Sequence, residues 1–303
     1  MITSVLIGYN TLIWYRINYK SAIAVLPLLG ILRLMRAKVI IEIPSPPETV
    51  EAELRSYGKK IQARLPKILC PLAYRLASVY VAYATDGNTF KDKAVILNNS
   101  LSHNEIEAKF VGEHDETFRG KMVGAIVAHL AEWHGVQVLM DAFFRASQKE
   151  GFEIQLKLIV IGGGPQFDSL SQLAKTINHQ VGYTLVELTG PLTGENLSDA
   201  LSRCNVGFGG LGYQSKGLST ASELKLRRYC AVGLPFVYFI NDRSFDENTG
   251  PWLRSTAENL DLWETYQWLS SLGPREEVCN TLSKFALSNL TWDDQVSKVL
   301  AKL

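Results

Sequence analysis

Apolar and polar positions divide the chain into two patterned regions joined by a polar stretch. In the first region, residues 11–15 predict a buried strand, and residues 21–35 predict a core helix that Pro27 and Gly30 weaken. The β-branched run over 38–43 stops at Pro44-Ser45-Pro46-Pro47 and predicts a strand ending in a proline-rich loop. Helical spacing over 48–64 and 67–76 predicts two helices, the second against Pro71, and residues 78–84 and 93–97 predict two short strands. Residues 98–120, with Asn98-Asn99-Ser100, His103-Asn104-Glu105 and Gly112-Glu113-His114-Asp115, lack apolar periodicity and are expected to be the linker.

Beyond it strands and helices alternate. Strands are predicted over 122–130, 154–161, 184–188, 205–208 and 235–240, and helices over 135–148, 166–177, 196–203 and 222–232. That alternation implies a parallel sheet covered on both faces, whose ligands bind outside the carboxyl ends of the strands. Residues 292–303 predict a terminal helix with Val296, Val299 and Leu300 on one face.

Composition narrows the class. With 303 residues, 47% of them hydrophobic and 20% charged, disordered, collagen-like and coiled-coil readings are excluded. At ~150 residues per domain the length suggests two domains, 1–118 and 119–303. The formal net charge of +1 gives no general attraction to nucleic acid, so no nucleic-acid partner is expected. Cys70, Cys204, Cys230 and Cys279 form no CxxC pair, which fits a reducing, cytosolic setting. Neither N-terminal apolar run reaches the ~20 residues of a spanning helix, and no basic region precedes the first as a signal peptide requires. Lys20, Arg33, Arg36 and Lys38 beside apolar surface fit either a core helix with solvated basic ends or peripheral contact with a membrane.

Three constellations carry candidate chemistry. Gly162-Gly163-Gly164-Pro165 lies between a predicted strand and helix, where backbone amides can face a phosphate; it lacks the GxGxxG spacing, and a tight turn explains it equally well. Residues 207–217, rich in glycine and including Gly209 and Gly210, precede Glu223 and Lys225, so a backbone nest and a cation converge on one anion, or a surface loop carries solvated lysines. Trp133-His134-Gly135 closes the first strand of the second domain, with His129 five residues before His134; the pair suits phosphate contact or proton transfer, or simple packing. No HExxH, DxD or GxSxG pattern accompanies them, and no metal is expected.

In their order and spacing, four segments resemble the retaining nucleotide-sugar glycosyltransferases of family 4 with their glycosyl transferase group 1 domain. These are Leu12-Ile13-Trp14-Tyr15-Arg16, Val39-Ile40-Ile41-Glu42-Ile43-Pro44, Val127-Ala128-His129-Leu130 with Trp133-His134-Gly135, and Leu224-Lys225-Leu226-Arg227-Arg228-Tyr229 with Gly233-Leu234-Pro235. The resemblance implies an α/β fold of two Rossmann-like domains with parallel sheets facing across a cleft, the N-terminal one truncated. Such a half sheet leaves an unpaired edge and exposed apolar surface. It implies a nucleoside diphosphate sugar as donor substrate, no further cofactor, and a glycan or lipid-linked acceptor. His134 and Lys225 take the catalytic places; His129, Gly163, Gly164, Gly190, Gly209, Gly210, Glu223 and Arg228 take the donor side, and Arg16 and Glu42 the acceptor side. Two departures stand out. Arg228 occupies the place of the family's ribose-binding glutamate, with Glu223 the nearest substitute, and the family's first strands are missing. The alternatives are therefore a non-catalytic nucleotide-binding subunit, or a split enzyme completed by a partner chain, with a nucleotide-sugar epimerase behind them.

Overall fold

The computed structural model describes residues 2–7, 10–17, 19–45, 47–56, 58–83, 94–106, 120–216, 218–246, 248–256 and 260–303. The chain divides into two compact units, Met1–Asn98 with Thr220–Ser222 and Trp292–Leu303, and Asn99–Ser219 with Glu223–Thr291. The division falls at the start of the expected linker rather than at 118, and the C-terminal helix joins the first unit.

The first unit runs β1 (Ile2–Ile7), β2 (Asn10–Arg16), α1 (Tyr19–Leu34), β3 (Lys38–Ile43), α2 (Pro47–Ser56), α3 (Leu65–Leu76), β4 (Val79–Ala82) and β5 (Ala94–Ile96). Its sheet order is β1-β2-β3-β4-β5, parallel from β2 to β5. β1 pairs antiparallel with β2 and sets Ile2 opposite Tyr15, so this edge of the sheet lies at β1. Central strand β3 is buried on both faces, as its β-branched run requires. Leu26 and Leu29 of α1 and Leu69 and Ala73 of α3 pack on one face with Val39, Ile41 and Ile43. Val299 of the C-terminal helix packs on the other, with Ile40, Val79 and Val81.

Two helices differ from expectation. The helix predicted over 48–64 ends at Ser56, where Gly58 turns the chain with φ 72°, and a 3-10 turn over Gln62–Arg64 leads straight into α3. The predicted core helix α1 buries one face only, since Ile23, Ile31 and Leu34 are exposed. Residues 22–32 carry no polar side chain, so the sequence could not distinguish its inner face from its outer one.

The second unit contains β6 (Lys121–Val127), α4 (Val136–Ser147), β7 (Gln155–Ile161), α5 (Phe167–Val181), β8 (Val186–Gly190), α6 (Gly194–Ser202), β9 (Val206–Phe208), α7 (Leu224–Ala231), β10 (Phe236–Tyr238), β11 (Leu253–Ser255), α8 (Leu262–Ser271) and α9 (Arg275–Asn289); α10 (Trp292–Leu300) returns to the first sheet. The six strands are ordered β11-β10-β9-β6-β7-β8 and all run parallel. The expected alternation is present; β11, α8 and α9 were not anticipated. Strand order reverses around β6, so the loops after β6 and β9 border the switch-point crevice where such sheets bind ligands.

Buried polar groups tie these elements together. The Tyr229 hydroxyl accepts the Val127 N–H at 3.1 Å and donates to the Phe208 carbonyl at 3.1 Å, bracing β6 against β9 from α7. Gly207 makes room for that ring, since a Cβ there would stand 2.5 Å from it. Buried Arg275 donates to the carbonyls of Ser202 and Cys204, each at 2.7 Å, satisfying the C-terminal end of α6. Among the described residues no helix is long and apolar enough to cross a membrane.

Tyr229→Phe keeps the ring but removes the partner of the half-buried Val127 N–H and of the buried Phe208 carbonyl. It is expected to cost about 1–3 kcal/mol, read as a lower urea midpoint with an unchanged slope.

Candidate functional site

The chain leaves β6 through Ala128–Ala131, makes a 3-10 turn over Glu132–His134, and enters α4 at Gly135. It leaves β9 through Gly209, Gly210, Leu211 and Gly212 into a second 3-10 turn, Tyr213–Lys216. The two loops touch backbone to backbone: Leu211 donates to the His134 carbonyl at 3.1 Å, and a Cβ on Gly212 would lie 2.9 Å from the Trp133 carbonyl oxygen. That approach presses His134 and Tyr213 together, ring centroids 5.7 Å apart and edge to face.

Glu223, just before α7, is the hub of the cluster. Its Oε2 accepts the Gly210 N–H at 3.0 Å and the Tyr213 hydroxyl at 3.2 Å, and stands 3.2 Å from the Lys225 ammonium. Its Oε1 is buried and has no hydrogen-bond partner among the described residues. A Cβ on Gly209 would stand 3.0 Å from Oε1, so any side chain there would crowd the carboxylate. Lys225 Nζ also lies 3.4 Å from His134 Nδ1, and the Tyr213 hydroxyl 3.5 Å from the same atom. Because an ammonium only donates, the Lys225 contact uses Nδ1 as acceptor, which assigns the ring proton to Nε2. Burial, then the Glu223 carboxylate, holds the Tyr213 hydroxyl well above its ordinary pKa, so it stays a proton donor.

Beneath this cluster lies an ion pair without solvent contact. Arg227 grips Asp242 through both guanidinium nitrogens, with Nη2 to Oδ1 at 2.6 Å and Nη1 to Oδ2. It also donates to the carbonyls of Glu223 at 3.1 Å and Asn99 at 2.8 Å and to the Ser244 hydroxyl at 2.8 Å, while its carbon lies 5.1 Å from the Phe245 ring centroid. Asp242 Oδ2 accepts the Glu223 N–H at 3.1 Å. Both backbone polar groups of Glu223 are thereby fixed by one ion pair.

The predicted residues thus fall into four places. His134, Gly209, Gly210, Glu223 and Lys225 come together at the ends of β6 and β9. His129, Gly163, Gly164 and Gly190 lie along the ends of β6, β7 and β8, where Gly162 donates to the Gly190 carbonyl at 2.9 Å and Leu130 to the Gly163 carbonyl at 2.9 Å. Gly162 and Gly164 have φ of 145° and 150°, and Cβ atoms there would stand 1.8 Å from the Ala128 oxygen and 2.7 Å from the Leu130 nitrogen, so close packing against the β6 loop itself demands glycine. His129 is exposed. Arg228 points elsewhere, its Nη2 2.6 Å from Glu105 Oε1. Arg16 and Glu42 belong to the first unit, where the buried Glu42 carboxylate at the end of β3 accepts Trp14 Nε1 at 2.9 Å and lies 3.4 Å from Arg16 Nη1. Of the 207–217 loop, residue 217 lies outside the described residues, as do Gly112-Glu113-His114-Asp115.

Tyr213, Arg227 and Asp242 were not among the predicted site residues. Tyr213 sits in the glycine-rich loop, and its single polar atom gave no signal of role. In α7 the burial order reverses hydrophobic expectation, with Leu224 51% exposed while Lys225 and Arg227 are buried. Cys70, Cys204, Cys230 and Cys279 are buried and form no disulfide, and burial pushes the Cys204 thiol up to about 12, far from a reactive nucleophile. Among the described residues no group of three or more His, Cys, Asp or Glu side chains is placed so that it could hold a metal ion.

No family model matches the sequence, and no curated protein matches it. Solved structures do match in fold. Anabaena HepE in complex with UDP-glucose superposes with a TM-score of 0.63 at 13% identity over 96% of this chain and 79% of its own. WaaG, a glycosyltransferase involved in lipopolysaccharide biosynthesis, gives 0.57 at 13% identity over 90% of this chain and 80% of its own. A UDP-forming α,α-trehalose-phosphate synthase from Burkholderia vietnamiensis gives 0.57 at 15% identity over 95% and 70%. The chain therefore has the α/β fold of two Rossmann-like domains that these proteins share.

Asp242→Ala leaves the Arg227 guanidinium buried and uncompensated. We expect a loss of about 3–5 kcal/mol in denaturant unfolding, with an exposed control, Asp199→Ala, within about 0.5 kcal/mol of the parent.

Proposed function

We propose that the chain is a glycosyltransferase that moves a sugar from a nucleoside diphosphate donor to a glycan or lipid-linked acceptor, with retention at the anomeric carbon and in the assembly of a surface polysaccharide. The observation that carries this reading is the Lys225–His134–Glu223 cluster at the switch point of the second sheet, where the Lys225 ammonium stands 3.4 Å from the His134 ring and 3.2 Å from the Glu223 carboxylate. The fold likeness supports it, since HepE was crystallised with UDP-glucose and WaaG is named as a glycosyltransferase.

In this mechanism the donor diphosphate lies over the loops after β6 and β9. Breaking the bond between sugar and diphosphate leaves negative charge on the departing oxygen. Lys225 and the Nε2–H of His134 oppose that charge, and because Tyr213 and Glu223 already hold them in place, little reorganisation accompanies the reaction. In this reading Lys225 is the cation and the neutral His134 ring a hydrogen-bond donor, and no metal takes part. Gly163, Gly164 and Gly190 line the nucleotide side, with His129 beside them. Glu223 Oε1, an acceptor without a partner among the described residues, is the carboxylate oxygen assigned to a donor hydroxyl. Arg16 and Glu42 belong to the acceptor side.

A second reading, a nucleotide-binding subunit without transferase activity, is favoured by Arg228, which pairs with Glu105 at the place where the resembling family carries its ribose-binding glutamate. Calorimetric titration with UDP, GDP and ADP tests both. Saturable binding of one of them is expected, and Lys225→Ala should weaken it at least ~10-fold, about 1.4 kcal/mol, with an unchanged circular dichroism spectrum. Failure of the folded parent to bind any of the three would remove the donor site. Tight binding without transfer to any glycan or lipid-linked acceptor would select the second reading.

A further inference from the structure

We propose that the outer face of α1 and α3 docks on an anionic lipid surface. The apolar residues of α1 continue around the helix. Ala22, Leu26 and Leu29 face the sheet, while Ile23, Ile31, Leu34 and Met35 face outward and are exposed by 60%, 56%, 86% and 73%. In α3 and the turn before it, Ile61 and Ile68 are exposed by 87% and 65%. Both helices cover the same face of the first sheet, so their outer surfaces lie side by side. The second unit shows what an ordinary solvated helix looks like in this chain: in α5 every exposed position is polar, from Asp168 and Gln172 to Lys175 and Gln180. A continuous exposed apolar surface of this kind marks an interaction site.

Charge identifies the occupant. Between positions 19 and 77 the sequence has ten lysines and arginines against four glutamates, although the whole chain carries only +1. Arg36, Lys59, Lys60, Arg64 and Arg75 are exposed around the apolar face. The glutamate Glu51 is engaged by Arg55 and Lys67 at 2.8 and 2.7 Å and does not offset them. Apolar side chains ringed by lysine and arginine fit a bilayer interface, where the chains enter the acyl boundary and the cations meet anionic headgroups. The apolar stretch 22–32 is roughly 16 Å long as a helix, about half the hydrocarbon thickness, so α1 lies along the surface. This inference does not depend on sugar transfer.

Co-sedimentation of the full chain with vesicles of phosphatidylcholine and phosphatidylglycerol, against phosphatidylcholine alone, tests it. We expect binding only to the anionic vesicles, falling as salt rises. L34E with M35E should weaken it at least ~10-fold, and K59E with K60E should weaken it and flatten its salt dependence, while both variants keep the parent unfolding transition, since all four positions are exposed. Absence of binding by the folded parent, or equal binding by parent and both variants, overturns the proposal. So does a parent oligomer that dissociates in L34E/M35E without any vesicle binding, which would assign the face to a second copy of this chain.

Discussion

Arg227 and Asp242 form an ion pair with no solvent contact, and the geometry of the site depends on it. A buried guanidinium is costly unless every donor is used. Here Asp242, the carbonyls of Glu223 and Asn99, and the Ser244 hydroxyl use them. The arrangement fixes the start of α7, the loop after β10 and the backbone of Glu223 as one piece. Glu223 then fixes the Gly210 amide, the Tyr213 hydroxyl and Lys225, and Lys225 in turn orients His134. Positioning thus passes outward from a rigid, dry pair to the groups that face a ligand.

Glycine has two different uses around this crevice. At Gly162 and Gly164 a side chain would collide with the backbone of the β6 loop, so these residues set how closely neighbouring loops pack. At Gly209 and Gly210 the missing side chains leave room for the Glu223 carboxylate and the Tyr213 ring. One residue type in the two loops on either side of the β6 loop therefore serves packing in one and the electrostatic cluster in the other.

The two units also treat their surfaces differently. In the second unit α5 follows the usual division, apolar inside and polar outside, whereas α7 buries Lys225 and Arg227 and exposes Leu224. The first unit places over its sheet a helix whose residues 22–32 are apolar all round, in a segment rich in lysine and arginine, while β1 adds an antiparallel edge strand beside β2. The chain's near-zero net charge conceals this, because the excess of cations near the N-terminus is balanced by acidic residues elsewhere.

Alternating strand and helix periods determined the parallel architecture of the second unit, because a sheet buried on both faces needs continuous β-branched strands and helices with one apolar stripe. The strand ends near Glu42 and Gly209 were legible for the same reason, whereas β6 ends at Val127 rather than 130 and His134 lies in the 3-10 turn beyond it. Short or weakly patterned elements were not: β11 has three residues, and the return of α10 to the first sheet joins residues far apart in sequence. Nor could sequence distinguish Arg227 from its neighbour Arg228. Both lie on α7, yet one is fully buried against Asp242 and the other pairs with Glu105. Periodicity ranks positions by hydrophobicity, whereas a buried charge is placed by a partner that only the folded chain brings within reach. Local pattern decided the elements and their crevice; long-range pairing decided which charges were sealed inside and which face a ligand.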